Sequence, residues 1–228
     1  MEIYGLMRLT LLDYPEKAAC TIFTGGCDFR CPFCHNKSVI LKDTEQIPTE
    51  EIFKFLSKRR GILDGVCISG GEPLINPDII EFMSRVKALG YSVKLDTNGG
   101  HPMRLREALE SGFCDYVAMD IKNSPEKYPQ TVGVDGFDAG KISESIEIIK
   151  SCGIEHEFRT TAVRELHTAE DMRKLTAQIA GEERYFIQSY TESENVLKKG
   201  LTAFDEDGLR RLLDAARENV PKAQLRGV

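Results

Sequence analysis

Three of the seven cysteines in this 228-residue chain lie within eight positions of one another. Cys27, Cys31 and Cys34 occur in the stretch GGCDFRCPFCHN, with three and then two residues between them. A disulfide framework is typical of small secreted domains, whereas this chain is long enough to build an ordinary apolar core. Clustered thiols in such a chain indicate a metal site or a catalytic site.

Three kinds of metal site fit the spacing. The run CPFCH from residue 31 matches the attachment motif of c-type haem, but that chemistry belongs to exported proteins and leaves Cys27 unexplained. Zinc would need Cys27, Cys31, Cys34 and His35, although structural zinc sites usually take ligand pairs from two separate segments. An iron-sulfur cube held by three thiolates leaves its fourth iron open to a substrate or cofactor. The cube explains why the motif stops at three cysteines, and zinc remains the alternative.

Composition limits the setting in which this site works. The N-terminus lacks a basic start followed by an apolar run, and no segment approaches the roughly 18 apolar residues of a membrane span. The formal charge is -6, and no basic footprint for phosphate binding is evident. We therefore expect a cytoplasmic protein that binds neither membranes nor nucleic acid.

Strand-like and helical patterns alternate along most of the chain. Strands are predicted at 18–24, 65–69, 92–97, 116–121, 155–162 and 184–189. Helices are predicted at 49–60, 77–89, 103–111, 142–152, 168–180 and 205–219. Six strand-helix units with short connections predict a parallel sheet with helices outside, in one domain spanning residues 1–228. A closed eight-unit barrel needs about 250 residues, so this length suits a partial barrel or an open sheet.

The predicted second strand ends in a turn that suits ligand binding. Gly70 and Gly71 would let the backbone approach a ligand closely, and Glu72 would offer an anionic anchor for an ammonium group. Gly-Gly-Glu alone is also an ordinary turn sequence. Its position one strand-helix unit after the cysteine motif favours a shared site.

Carboxylates also lie at the ends of the next two predicted strands. Asp96 and Asp120 should rim the same space as Glu72, because parallel strands end at one edge of a sheet. Buried charges must be paired or bound to metal. Lys94 and Lys122 are available as partners, so simple ion pairing is an alternative to a binding role.

The cysteine motif resembles that of the radical S-adenosylmethionine (SAM) enzymes. The pattern C-x-x-x-C-x-aromatic-C is present as Cys27, Cys31, Phe33 and Cys34. The resemblance implies an α/β fold, a partial (β/α)6 TIM-like barrel with a 4Fe-4S cluster at its C-terminal rim. It also implies that SAM chelates the open iron, and that one electron splits SAM into methionine and a 5′-deoxyadenosyl radical. Phe33 would pack near the adenine or shield the cluster.

Other segments extend the resemblance to cofactor-binding residues. Gly70, Gly71 and Glu72 resemble the family segment that binds the SAM amino group. Arg159 resembles the family arginine that approaches the SAM carboxylate or ribose, and Asn98 is assigned to the cofactor site with it.

The segments LDTNG and MDIK are similar to those of glycyl-radical-enzyme activases. This similarity implies that Asp96, Thr97 and Asp120 hold a monovalent cation, K+ or Na+, beside SAM. Where related activases carry a histidine after the sixth strand, this chain has Gln188 and Ser189. The contribution of the sixth strand is therefore an open question.

The same resemblance implies a partner. Activases of this kind take a hydrogen atom from the Cα of a glycine in a glycyl radical enzyme, here predicted to be anaerobic ribonucleotide reductase. A flavodoxin or a ferredoxin-type protein would donate the electron. A radical SAM enzyme for another peptide or a small molecule is the alternative, and a non-enzymatic zinc-binding domain is the alternative from another class.

Overall fold

Eight strands in chain order form one sheet within residues 1–227, which are the residues that the computed structural model describes. The strands are β1 (Ile3–Thr10), β2 (Ala19–Thr24), β3 (Gly65–Gly70), β4 (Ser92–Thr97), β5 (Tyr116–Asp120), β6 (Glu155–Ala162), β7 (Tyr185–Ser189) and β8 (Gln224–Arg226). β1 runs antiparallel to β2, and all later neighbours are parallel. Since β1 and β8 form the two edges, the sheet is an open, partial barrel.

Helices connect the parallel strands, as right-handed crossovers require. The eight α-helices of the described range are α1 (Lys37–Leu41), α2 (Thr49–Lys58), α3 (Ile79–Ala88), α4 (Pro102–Glu110), α5 (Tyr128–Val132), α6 (Gly140–Ser151), α7 (Ala169–Ala177) and α8 (Glu206–Arg217). None of them is both long and apolar enough to cross a membrane. A capping box begins α7, because the Thr168 hydroxyl accepts from the Asp171 N–H while the Asp171 carboxylate accepts from the Thr168 N–H.

The predicted fold class is confirmed, and the structure adds elements that the sequence pattern does not reveal. The six predicted strands correspond to β2–β7. β8 extends the parallel part to seven strands but is only three residues long. In β1, Met7, Arg8 and Leu9 are exposed in succession, so the alternation that identifies a half-buried strand is missing. α1 and α5 have five residues each, too few for a helical period to be recognised.

The carboxyl ends of β2–β7 meet at one rim of the sheet. Apolar side chains such as Val66, Leu95 and Val117 are fully buried and pack in the core. Two charged side chains, Lys94 on β4 and Glu157 on β6, are also at most 1% exposed. The fold therefore buries charge inside the sheet and gathers the strand ends, with their polar residues, at one rim.

Candidate active site

A cavity of about 300 Å³ opens at this rim. It lies between the cysteine loop, defined here as residues 25–36, and the ends of β3–β7. Its lining consists of Cys27, Phe29, Cys31, Phe33, Cys34, His35, Asn36, Ile40, Ser69, Gly70, Gly71, Asp96, Thr97, Asn98, Asp120, Lys122, Thr161, Gln188 and Ser189. All of the predicted site residues are in this set except Glu72 and Arg159. Residues far apart in sequence thus meet in one cavity.

The cysteine loop carries its three thiols into the cavity from the end of β2. The Cys34 N–H donates to the Cys31 carbonyl at 3.0 Å, which forms a tight turn between these two residues. Burial raises the pKa of the Cys27 thiol to about 12, and it does the same for Cys31, where the nearby Lys122 ammonium acts in the opposite direction. At neutral pH these thiols therefore carry protons, which a metal bound by them would displace.

The donor set suits a cluster better than a single ion. Within residues 1–227, no three His, Cys, Asp or Glu side chains are arranged so that they could hold one metal ion. Each thiolate of a 4Fe-4S cube binds a different iron, so the ligands surround a volume and need not converge on one atom. Cys27, Cys31 and Cys34 line one cavity and supply the soft sulfur donors that such a cluster uses.

Gly70 and Gly71 let the end of β3 lie directly against the cysteine loop. Gly70 has a φ of +114°, and a Cβ atom there would lie 2.4 Å from the Thr24 nitrogen. A Cβ atom on Gly71 would lie 1.7 Å from the Gly26 carbonyl oxygen. No side chain fits at Gly70 without moving the backbone at the end of β2, or at Gly71 without moving the backbone of the cysteine loop. The two glycines therefore fix the distance between the turn and the thiols, and present main chain to the cavity.

Glu72 lies just after β3 but is not part of the cavity lining. Its side chain is fully buried, and its carboxylate accepts hydrogen bonds from the Leu74 N–H at 3.1 Å, the Thr97 hydroxyl at 2.9 Å and the Asn98 N–H at 2.7 Å. Protein donors surround this carboxylate, and its predicted contact with the ammonium group of a ligand stays a prediction. Burial raises the pKa of Glu72 to about 7, although these hydrogen bonds act in the opposite direction. Glu72 ties the end of β3 to the end of β4.

Arg159 lies next to the cavity lining and joins the two aspartates. Its Nε is 2.8 Å from Asp120, and another guanidinium nitrogen is 3.3 Å from Asp96. Lys122 Nζ lies 3.0 Å from Asp120, and Lys94 pairs with Asp96. Burial would raise the pKa of both aspartates, but the neighbouring cations outweigh burial and hold each pKa below its usual range.

This network bears on two predicted roles. Arg159 uses its guanidinium to hold Asp96 and Asp120 and is absent from the lining, and its predicted contact with a cofactor stays a prediction. Asp96, Thr97 and Asp120, the predicted cation ligands, all line the cavity. The ion pairs that the sequence offered as an alternative are present at both aspartates.

Several cavity residues were not predicted. Asn36 and His35 follow the last cysteine, and the Asn36 amide donates to the Gly70 carbonyl at 2.7 Å. Gln188 and Ser189, at the end of β7, also line the cavity, so the sixth predicted strand reaches it. Their position at a strand end is the signal that could have identified them, since the carboxyl ends of parallel strands gather ligand-binding residues.

Comparison with known proteins agrees with this geometry. The model of the radical SAM superfamily matches residues 21–176. A protein of Methanocaldococcus jannaschii, named as a candidate glycyl-radical enzyme activating enzyme, is 32% identical over 232 residues, which cover 99% of this chain and 96% of that protein. Pyruvate formate-lyase-activating enzyme of Listeria monocytogenes is 36% identical over 124 residues, which cover 47% of this chain and 48% of the enzyme.

A solved structure shares the fold at low sequence identity. Streptococcus suis SuiB bound to S-adenosylmethionine aligns with a TM-score of 0.65 and 16% identity, over 89% of this chain and 48% of SuiB. This chain therefore spans about half the length of SuiB, and the likeness concerns the fold alone.

Proposed function

The chain belongs to the radical SAM superfamily of enzymes, and we propose that it is a glycyl-radical-enzyme activase. In this proposal it holds a 4Fe-4S cluster, cleaves SAM and generates a glycyl radical on a partner protein. The observation that carries the proposal is one cavity that brings Cys27, Cys31 and Cys34 to Gly70 and Gly71. The relationship to the Methanocaldococcus jannaschii protein extends over nearly the whole chain and supports the activase class.

The cysteine loop would hold the cluster. When bound, the cluster supplies one electron to SAM, which gives a 5′-deoxyadenosyl radical able to abstract a hydrogen atom. Cys27, Cys31 and Cys34 bind iron as thiolates after losing their protons. Phe33 is 4% exposed and lines the cavity, where it would shield the cluster or pack near the adenine of SAM.

The strand ends would hold the amino-acid part of SAM. Gly70 and Gly71 present backbone to the cavity, and Asn98 lines it beside Cys27. Asp120 and Lys122 place a negative and a positive group on the same wall. An ammonium and a carboxylate on one ligand complement this pair of charges. Arg159 would act from behind the wall, by fixing the aspartates.

A monovalent cation beside SAM is the finer part of the proposal. Asp96, Thr97 and Asp120 supply oxygen donors, the type that hard cations prefer. K+ or Na+ would share the two carboxylates with the neighbouring lysines and Arg159. The test is SAM cleavage by the native chain in potassium, sodium and a bulky organic cation at constant ionic strength. Unequal rates support the cation, whereas equal rates leave the aspartates with ion pairing alone.

The cavity opens at the rim of the sheet, where a macromolecular substrate could cover it. A partner that inserts a glycine-bearing segment would cover the cavity and exclude water from the radical. We propose a glycyl radical enzyme as this partner, with anaerobic ribonucleotide reductase as the first one to test, and a flavodoxin or ferredoxin-type electron donor. Electron paramagnetic resonance of the partner after incubation with the reduced enzyme and SAM should show a glycyl radical. A partner without a radical signal contradicts its assignment.

Cysteine variants test the central assignment. We expect Cys27→Ala, Cys31→Ala and Cys34→Ala each to abolish the formation of 5′-deoxyadenosine with dithionite and SAM, because each removes one cluster ligand. Cys20→Ala is the matched control, since Cys20 lies buried on β2, just before the loop. The control should retain iron, sulfide and activity. A colourless native protein containing zinc, or a control that loses its iron, would contradict the assignment.

A further inference from the structure

The segment that follows β7, residues 191–202, crosses the outside of the cysteine loop. We refer to it as the strap. The Leu197 N–H donates to the Cys34 carbonyl at 3.1 Å, and the Lys198 N–H donates to the Pro32 carbonyl at 2.9 Å. Val196, between these residues and Asn195, is only 1% exposed and fixes the strap to the core. The backbone of one predicted cluster ligand is therefore held by a segment more than 160 positions away in the chain.

Asn195 makes the most complete contact between the strap and the loop. Its side-chain amide donates to the His35 carbonyl at 2.8 Å, and its Oδ1 accepts from the Ser38 N–H at 3.0 Å. Its main-chain carbonyl accepts from the Lys37 N–H at 3.2 Å. Asn195 itself is exposed to solvent, so packing in the core does not force it into these three hydrogen bonds.

These bonds perform the task of a helix N-cap. Asn36 occupies the N-cap position of α1 but forms no capping bond with its side chain. Its amide instead donates to the Gly70 carbonyl at the cavity. The first N–H groups of a helix need an acceptor, and here Asn195 supplies it to Lys37 and Ser38. Asn36 is thereby left to connect the cysteine loop with the glycine turn.

We propose that Asn195 is a positioning residue for the cluster, acting through Cys34 and α1. This inference rests on the proposed function, in which Cys34 is an iron ligand. A ligand on a free loop must be ordered each time iron binds, whereas a ligand held by the strap is already in place. Asn195 thus slows the release of iron by keeping the end of the cysteine loop in its binding conformation.

The test compares Asn195→Ala with Glu194→Ala, an exposed neighbour that contributes none of these contacts. Both proteins and the native chain are reconstituted with iron and sulfide without oxygen, and iron transfer to a ferrous chelator is followed by absorbance. Asn195→Ala removes the two side-chain hydrogen bonds, one of which caps Ser38, and should speed release about tenfold. Glu194→Ala should match the native chain.

Asn195→Asp refines the measurement and serves as a second variant if the alanine protein folds poorly. The aspartate keeps the acceptor for the Ser38 N–H but loses the donor to the His35 carbonyl, so an intermediate rate is expected. The electron paramagnetic resonance spectrum of the reduced cluster should differ between Asn195→Ala and Glu194→Ala. A purely structural contribution would leave that spectrum unchanged while lowering the thermal midpoint.

Amide exchange of Lys37 and Ser38 in the cluster-free proteins separates the possible failures. Faster exchange in Asn195→Ala together with faster iron release supports the inference. Native rates of iron release in Asn195→Ala overturn it, even if exchange is faster. A native chain that binds no iron overturns the proposed function, and this inference falls with it.

Discussion

Glu72 and Asp120 are carboxylates at the ends of nearby parallel strands, and their surroundings shift their pKa values in opposite directions. Glu72 accepts hydrogen bonds from neutral donors, two backbone N–H groups and the Thr97 hydroxyl. Asp120 accepts from two cations, Lys122 and Arg159. Burial raises the pKa of Glu72 to about 7, whereas in Asp120 the cations outweigh burial and hold the pKa below its usual range.

The comparison shows that the pKa of such a carboxylate depends on the charge of its hydrogen-bond partners as well as on its burial. Neutral donors stabilise an anion only in part, so Glu72 can carry a proton near neutral pH and serves to join two turns. Cations on both sides keep Asp120 ionised, and it presents a permanent negative charge to the cavity. One carboxylate at a strand end can thus join two turns, while another lines the cavity.

The largest expected effect is that of removing the charge of Asp120. Asp120→Asn leaves Arg159 and Lys122 without their shared anion, and breaking this partly buried pair of ion pairs should cost about 3 kcal/mol of unfolding free energy. Urea unfolding at pH 7 measures this difference. Asp135→Asn, at an exposed aspartate, is the control and should change stability by less than about 0.5 kcal/mol. Equal stabilities for both variants would show that the cations at Asp120 find other partners.

Lys94→Met should have a smaller effect at the neighbouring aspartate. Lys94 is fully buried and pairs with Asp96, but Asp96 keeps Arg159 at 3.3 Å and the Ser69 hydroxyl at 3.0 Å. We expect a loss of about 2 kcal/mol by the same urea measurement, with the exposed Lys58→Met as control. A loss as large as that of Asp120→Asn would mean that Arg159 contributes little to Asp96.

Glu72→Gln tests the other side of the comparison through pH. The pKa of Glu72 is raised from 4.5 in the unfolded chain to about 7 in the fold, so the folded state binds more protons between these values. Stability contributed by the protonated form is fully present below pH 4.5 and is lost as pH rises through 7. The native chain should therefore lose about 1.5 kcal/mol between pH 5.5 and pH 7 through this group.

The glutamine variant should lack that loss because it cannot ionise. As pH rises over this interval, the native chain should therefore lose stability relative to Glu72→Gln. Groups elsewhere titrate in both proteins and cancel. A difference that does not change with pH would show that Glu72 is ionised throughout, as Asp120 is.

Much of the fold and of the site could be predicted because it depends on short-range patterns. The spacing of Cys27, Cys31 and Cys34 lies within one loop, and six strands and six helices show their own periodicity. The position of Gly70 and Gly71 after a strand is also local. Parallel strands end at one rim by geometry, so residues at strand ends could be placed together before any contact was known.

Only the tertiary structure decided which side chain lines the cavity and which supports another residue. The residues next to Glu72 in sequence do not indicate that Thr97 and Asn98 donate hydrogen bonds to its carboxylate. Nor does the sequence indicate that the Arg159 guanidinium pairs with two aspartates. Nothing near Asn195 indicates that it caps a helix at Lys37. The sequence by itself determined the chemistry of the donors and the order of the strands, because both depend on neighbouring residues. Hydrogen-bond partners and pKa values depend on groups brought together by folding, which is why the structure was needed to assign them.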